Sequence, residues 1–108
     1  MAFAVGPRAT QAGYRVRSYD RLDSTNSEAM RLAQDGEGGP LWIVTEEQTA
    51  GRGRQGREWQ SFPGNLAASL LLTGDLKLSS AATLGFVAGL AVYEACSIRA
   101  PGLAVSLK

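Results

Sequence analysis

Tyr14–Thr45 reads YRVRSYDRLDSTNSEAMRLAQDGEGGPLWIVT, and three successive hydrophobic rhythms in it decide the fold class. The first is alternation: Tyr14, Val16 and Ser18 fall on one side, Arg15, Arg17 and Tyr19 on the other. A period of two over Tyr14–Asp23 predicts a strand with one exposed face. Thr25 followed by Glu28 then fits a capping box, in which a hydroxyl and a carboxylate satisfy N–H groups of a first helical turn. The spacing of Ala29, Met30, Leu32 and Ala33 predicts a helix over about 26–35, ended by Gly36, Gly38, Gly39 and Pro40. Last comes Leu41–Thr45, LWIVT, short, apolar and β-branched, the mark of a central strand.

Further out, Asn65–Thr73 (NLAASLLLT) predicts another strand, and Ala81–Ile98 an apolar helix capped by Ser79 or Ser80. Pro101-Gly102 breaks the chain, and Leu103–Lys108 reads as a last strand. Residues 1–13 read as an N-terminal extension and 14–108 as one domain. The order β-α-β-loop-β-α-β argues for an α/β or α+β domain. The pattern leaves open which strands run parallel.

Composition narrows the chemistry. With 108 residues, 44% of them hydrophobic, the chain has the size and core of one domain and is not disordered throughout. The absence of histidine excludes a histidine base, a Ser-His-Asp system or a histidine metal site in this chain. One cysteine, Cys96, excludes an intrachain disulfide and fits a reducing compartment. Its place on the apolar helix predicts a small buried residue. Met1–Gln11 lacks the apolar core of a secretory signal. Ala81–Ile98 carries Thr83, Tyr93 and Glu94, so it reads as a core helix rather than a membrane span. These features predict a cytoplasmic protein with no membrane partner.

The net charge of +1 conceals a local cluster. Residues 48–59, Gln-Thr-Ala-Gly-Arg-Gly-Arg-Gln-Gly-Arg-Glu-Trp, alternate Gly51, Gly53 and Gly56 with Arg52, Arg54 and Arg57. Glycines let main-chain N–H groups approach a ligand, and arginines offer planar donors suited to phosphate or carboxylate. Trp59 adds an aromatic face. The residues alone leave three readings: a solvated loop, a nucleic-acid-binding run, or a lid over a phosphate or activated carboxylate. The segment is not a P-loop. Its match to G-x-G-x-x-G lacks the helix that a dinucleotide site needs.

Asp23-Ser24-Thr25-Asn26, then Thr45–Trp59 with its GRGRQGREW, then Gly64-Asn65-Leu66, resemble the catalytic domain of biotin protein ligases (biotin–[acetyl-CoA-carboxylase] ligases). The resemblance runs from about Tyr14 to Lys108. It implies an α+β fold, a mixed sheet with helices on one face. It also implies a two-step reaction. Biotin and ATP give biotinyl-5′-AMP, with Mg2+ on the phosphates, and the biotinyl group passes to a lysine of the biotin carboxyl carrier protein of acetyl-CoA carboxylase. Carried over by motif, Ser24, Thr25, Asn26 and Gln48 face biotin. Gly51, Arg52, Gly53 and Arg54 belong to the loop over biotin and the adenylate, and Trp59 to its end. Lys108 holds the reacting carboxylate and phosphate, and Arg54 and Lys108 are the implied catalytic residues.

The chemistry of the residues agrees with this. Bringing two anions together requires fixed positive charge, and a carboxylate needs no histidine to be a nucleophile at neutral pH. Leu107-Lys108 resembles the opening of the family's KWPND segment, so the expectation is a catalytic domain cut short and inactive alone. Residues 1–13 are too few for a DNA-binding domain, so no nucleic-acid partner is expected. Family members are monomers or homodimers. The nearest alternatives are lipoate ligases and octanoyltransferases of the same superfamily, and a Gly-Arg nucleic-acid-binding module.

Overall fold

The computed structural model describes residues 3–51, 65–74 and 83–102. The chain divides into two compact units, Met1–Thr73 and Gly74–Lys108. The first contains helix α1 (Pro7–Gln11), strand β1 (Arg15–Tyr19), helix α2 (Thr25–Gln34), strand β2 (Leu41–Thr45) and strand β3 (Ala67–Leu71). The second contains helix α3 (Leu84–Arg99).

The three strands form one mixed sheet in the order β1-β2-β3. Strand β1 pairs parallel with β2, Arg15 opposite Leu41 and Tyr19 opposite Thr45. Strand β3 pairs antiparallel with β2, Leu71 opposite Leu41 and Ala67 opposite Thr45. Parallel neighbours need a crossover, and α2 supplies it. β2 is therefore central, which explains why LWIVT has no polar side. Leu41, Ile43 and Thr45 point to one face and Trp42 and Val44 to the other, and all but Trp42 are buried.

The core lies between α2 and the first face. Ala29, Leu41 and Ile43 are buried there, with Tyr19, Leu22, Leu32 and Leu71 packed around them. On the opposite face, Val16, Trp42, Val44 and Ala68 border a shallow hollow shared with Phe3 and Val5. Phe3 is tied to that face by its N–H, which donates to Ser18 Oγ at 3.0 Å. The alternation of β1 thus holds, but neither side is simply solvent-facing. Arg15 and Arg17 on the α2 side both pair with Glu37, at 2.9 and 3.6 Å.

Helix α2 starts one residue earlier than the spacing predicts, and its cap is different. Ser24 is the N-cap, its Oγ accepting from Ser27 N–H at 3.2 Å. Thr25 is inside the helix, so the Thr25–Glu28 capping box does not form. Glu28 instead accepts from Tyr19 and Arg31. The C-terminus follows the glycine signal. Gly36 adopts φ +89°, its N–H donates to Ala33 O at 3.1 Å, and Glu37 N–H donates to Leu32 O at 2.9 Å. Those two bonds are the Schellman pairing, open to glycine because it has no Cβ. At Gly39 the requirement is steric, since a Cβ there would overlap the carbonyl of Leu71.

The short helix Pro7–Gln11, with proline in its first turn, stands inside the segment read as an extension. Helix α3 runs Leu84–Arg99 against the predicted Ala81–Ile98, and its N-cap Thr83 makes no side-chain cap bond. Cys96, expected to be buried, is exposed on this helix. No helix among the described residues is long and apolar enough to cross a membrane. The predicted caps Ser79 and Ser80 and the predicted strand Leu103–Lys108 lie outside the described residues.

Candidate functional site

The parallel pair β1–β2 ends at one edge of the sheet, and the segments that leave it stay side by side. Leu22 N–H donates to Glu47 O at 3.1 Å, and Thr49 N–H to Leu22 O at 2.8 Å. Ala50 N–H donates to Asp23 O at 2.7 Å, and Leu22 and Gln48 form a parallel bridge. These bonds carry Gln48 to the first turn of α2. The partial positive charge of a helix N-terminus is therefore present where Gln48 arrives.

Thr25 is the centre of the site and only 4% exposed. Its N–H donates to Gln48 Oε1 at 2.8 Å and its hydroxyl to the same oxygen at 3.2 Å. Its Oγ1 also lies 2.8 Å from Ser69 Oγ on β3. A hydroxyl has one proton. With the Thr25 proton directed to Gln48, the Ser69 hydroxyl donates to Thr25. The amide of Gln48 is oriented by the same bonds: Oε1 faces Thr25, so Nε2 turns toward Gly51. A Cβ on Gly51 would sit 2.6 Å from that Nε2. Glycine lets the chain pass the amide there, and a larger residue would push Gln48 off Thr25.

None of Thr25, Gln48 and Ser69 changes charge near neutral pH. The cluster can bind and orient a polar group that both donates and accepts hydrogen bonds, but it cannot move a proton. Among the described residues no group of three acidic or thiol side chains gathers to hold a metal ion.

Beside this cluster, Arg31 grips both carboxylate oxygens of Asp23, at 3.0 and 2.6 Å, and donates from Nε to Glu28 Oε1 at 2.8 Å. The other oxygen of Glu28 accepts from the Tyr19 hydroxyl at 2.7 Å. The Arg31 bonds, with the Ser24 N–H, hold the Asp23 carboxyl down from its ordinary 3.8 to about 2. Bonds from Tyr19 and Arg31 lower Glu28, and the bond from Arg15 lowers Glu37.

A depressed folded pKa contributes stability that is complete above the unfolded value and lost as pH falls through the folded one. The thermal midpoint is therefore expected to be flat from pH 7 to about 5 and to decline from about 4.5 down to 2. Asp23 and Arg31 are each nearly half exposed, so the decline is modest. Arg31→Ala should blunt it. Melting curves followed by circular dichroism across this range check the prediction; an equal decline in the variant would contradict it.

Of the residues expected at the site, the structure brings Thr25, Gln48 and Gly51 together. Ser24 is adjacent, with its Oγ committed to the cap. Asn26 is exposed on the first turn, its Nδ2 4.0 Å from Met30 Sδ. Arg52, Gly53, Arg54, Trp59 and Lys108 lie outside the described residues. Sequence reasoning missed Ser69, although it is the single polar residue within the run Ala67–Leu72.

The model of the biotin/lipoate A/B protein ligase family matches residues 13–105. A biotin–[acetyl-CoA-carboxylase] ligase of Paracoccus denitrificans is 49% identical over 78 residues, which is 72% of this chain and 32% of that protein. The bifunctional ligase/repressor BirA of Bacillus subtilis (strain 168) is 33% identical over 104 residues, 95% of this chain and 32% of that protein. The chain thus spans about a third of the length of these curated relatives.

Proposed function

Because this chain belongs to the biotin/lipoate A/B protein ligase family, we propose that it serves the ATP-dependent attachment of biotin to a lysine of a biotin carboxyl carrier protein. The observation that carries the reading is the hydrogen-bonded cluster of buried Thr25 with half-buried Gln48 and Ser69, beside Gly51. It offers neutral donors and acceptors suited to the urea group of biotin, and it stands directly before the arginine-rich segment. Lipoic acid has no such polar ring, so the cluster favours biotin between the two acids named by the family.

In this reading Ser24, Thr25, Asn26 and Gln48 orient the ring end of biotin, and Trp59 packs against the bound molecule. The biotin carboxylate oxygen attacks the α-phosphorus of ATP. The bond to the bridging oxygen breaks, and pyrophosphate leaves. Arg52, Arg54 and Lys108 supply the positive charge that offsets repulsion between the two anions. The carrier lysine, as free amine, then attacks the acyl carbon and AMP departs. A segment ordered over the mixed anhydride would keep water from it. Mg2+ would neutralise triphosphate charge, and among the described residues no group of three acidic or thiol side chains gathers to hold it. The reaction belongs in the cytoplasm.

The test is acid-dependent pyrophosphate release by a hybrid in which this chain replaces the matching segment of the Paracoccus denitrificans ligase. Biotin and lipoate are supplied in parallel arms. Release with biotin is the expected result. Release with lipoate alone would transfer the reading to lipoate, and silence with both, beside an active parent, would remove the ligase reading altogether.

A further inference from the structure

We infer that Arg31 is a positioning residue of this site, acting through Asp23 on the segment Gln48–Gly51. Arg31 lies on the second turn of α2, and its guanidinium bonds go to Asp23 and Glu28. It acts through the chain that precedes the helix. Its guanidinium takes both oxygens of the Asp23 carboxylate, and its Nε takes Glu28. A planar two-oxygen grip fixes orientation as well as distance. The main-chain carbonyl of the gripped residue accepts the Ala50 N–H at 2.7 Å, and its neighbour Leu22 O accepts Thr49 N–H at 2.8 Å. The segment carrying Gln48 and Gly51 therefore hangs on Leu22–Asp23. Glu28 extends the grip to the end of β1 through the Tyr19 hydroxyl. One side chain thus locks a strand end, a helix turn and the loop between them, and that loop sets where Gln48 meets Thr25.

The identity of the ligand rests on the proposed biotin reading; the mechanical role of Arg31 does not. The test reads amide hydrogen exchange residue by residue in the full chain and biotin binding by calorimetry in the hybrid ligase. In Arg31→Ala, exchange at Thr49 and Ala50 should speed up about tenfold, while Ile43 and Val44 in the central strand keep their protection. Biotin affinity should fall about fivefold. Arg31→Lys keeps the charge but loses the planar grip, so it should recover only part of both. Unchanged exchange at Thr49 and Ala50 in Arg31→Ala, or full recovery in Arg31→Lys, would overturn the inference. If the hybrid carrying the unaltered chain does not bind biotin, the biotin reading fails, and the exchange measurement still decides the role of Arg31.

Discussion

Replacing Ile43 by alanine is expected to destabilise the first unit by about 2–5 kcal/mol, the range for truncating a buried isoleucine. Ile43 is 0% exposed, at the middle of the central strand, and faces Ala29 of α2. The cost combines lost transfer free energy with the cavity left behind, and a sheet bonded on both sides of β2 collapses poorly around it. A small domain has about 5–15 kcal/mol in total, so the loss would bring it near the threshold. Ile43→Val removes one methylene and should cost about 0.5–1.5 kcal/mol. Urea unfolding midpoints of the two variants check both figures. Similar midpoints for valine and alanine would mean that Ile43 is not the core residue described. The site would feel the change too, because β2 leads directly to Gln48.

The second large effect is expected at Thr25→Val. The two side chains have nearly the same shape, so the substitution removes a hydroxyl without opening a cavity. Ser69 Oγ then loses its Thr25 partner, and Gln48 Oε1 keeps the main-chain N–H but loses the hydroxyl. A fully buried group left without its partner costs about 1–3 kcal/mol, and Gln48 and Ser69 are half-buried, so the expected cost is at the low end, about 1 kcal/mol. Where that cost appears as lost ligand orientation, biotin affinity falls about tenfold for each 1.4 kcal/mol. Thr25→Ser keeps the hydroxyl and should retain most of the affinity. Calorimetric titration of biotin into the hybrid ligase compares the three proteins. Equal affinity in the valine variant would remove Thr25 from the binding site.

Local signals carried much of this. LWIVT predicts β2 with its observed limits, because a central strand is apolar on both faces and short. The glycines after Gln34 predict the end of α2, because the left-handed turn at Gly36 excludes most side chains. The start of α2 was harder. Ser24 and Thr25 are both good caps in isolation, and only the three-dimensional contacts of Thr25 with Gln48 and Ser69 make Ser24 the cap. The short helix at Pro7 was illegible for a different reason: five residues bury no side chain and leave no hydrophobic period.

The sequence by itself determined that the described first unit alternates strand, helix and strand, and that this chain contributes no histidine to any chemistry. It also placed a Ser-Thr-Asn turn and a glutamine before an arginine-glycine run, the features that connect the chain to its family. Only the tertiary structure decided that β1 and β2 run parallel while β3 runs against them. It alone brought Ser69 to Thr25. The physical reason is the range of the signals. Periodicity and capping record the burial and hydrogen bonds of near neighbours, whereas a partner 44 positions away leaves no mark on the local pattern. It becomes visible only when the sheet sets the strands side by side.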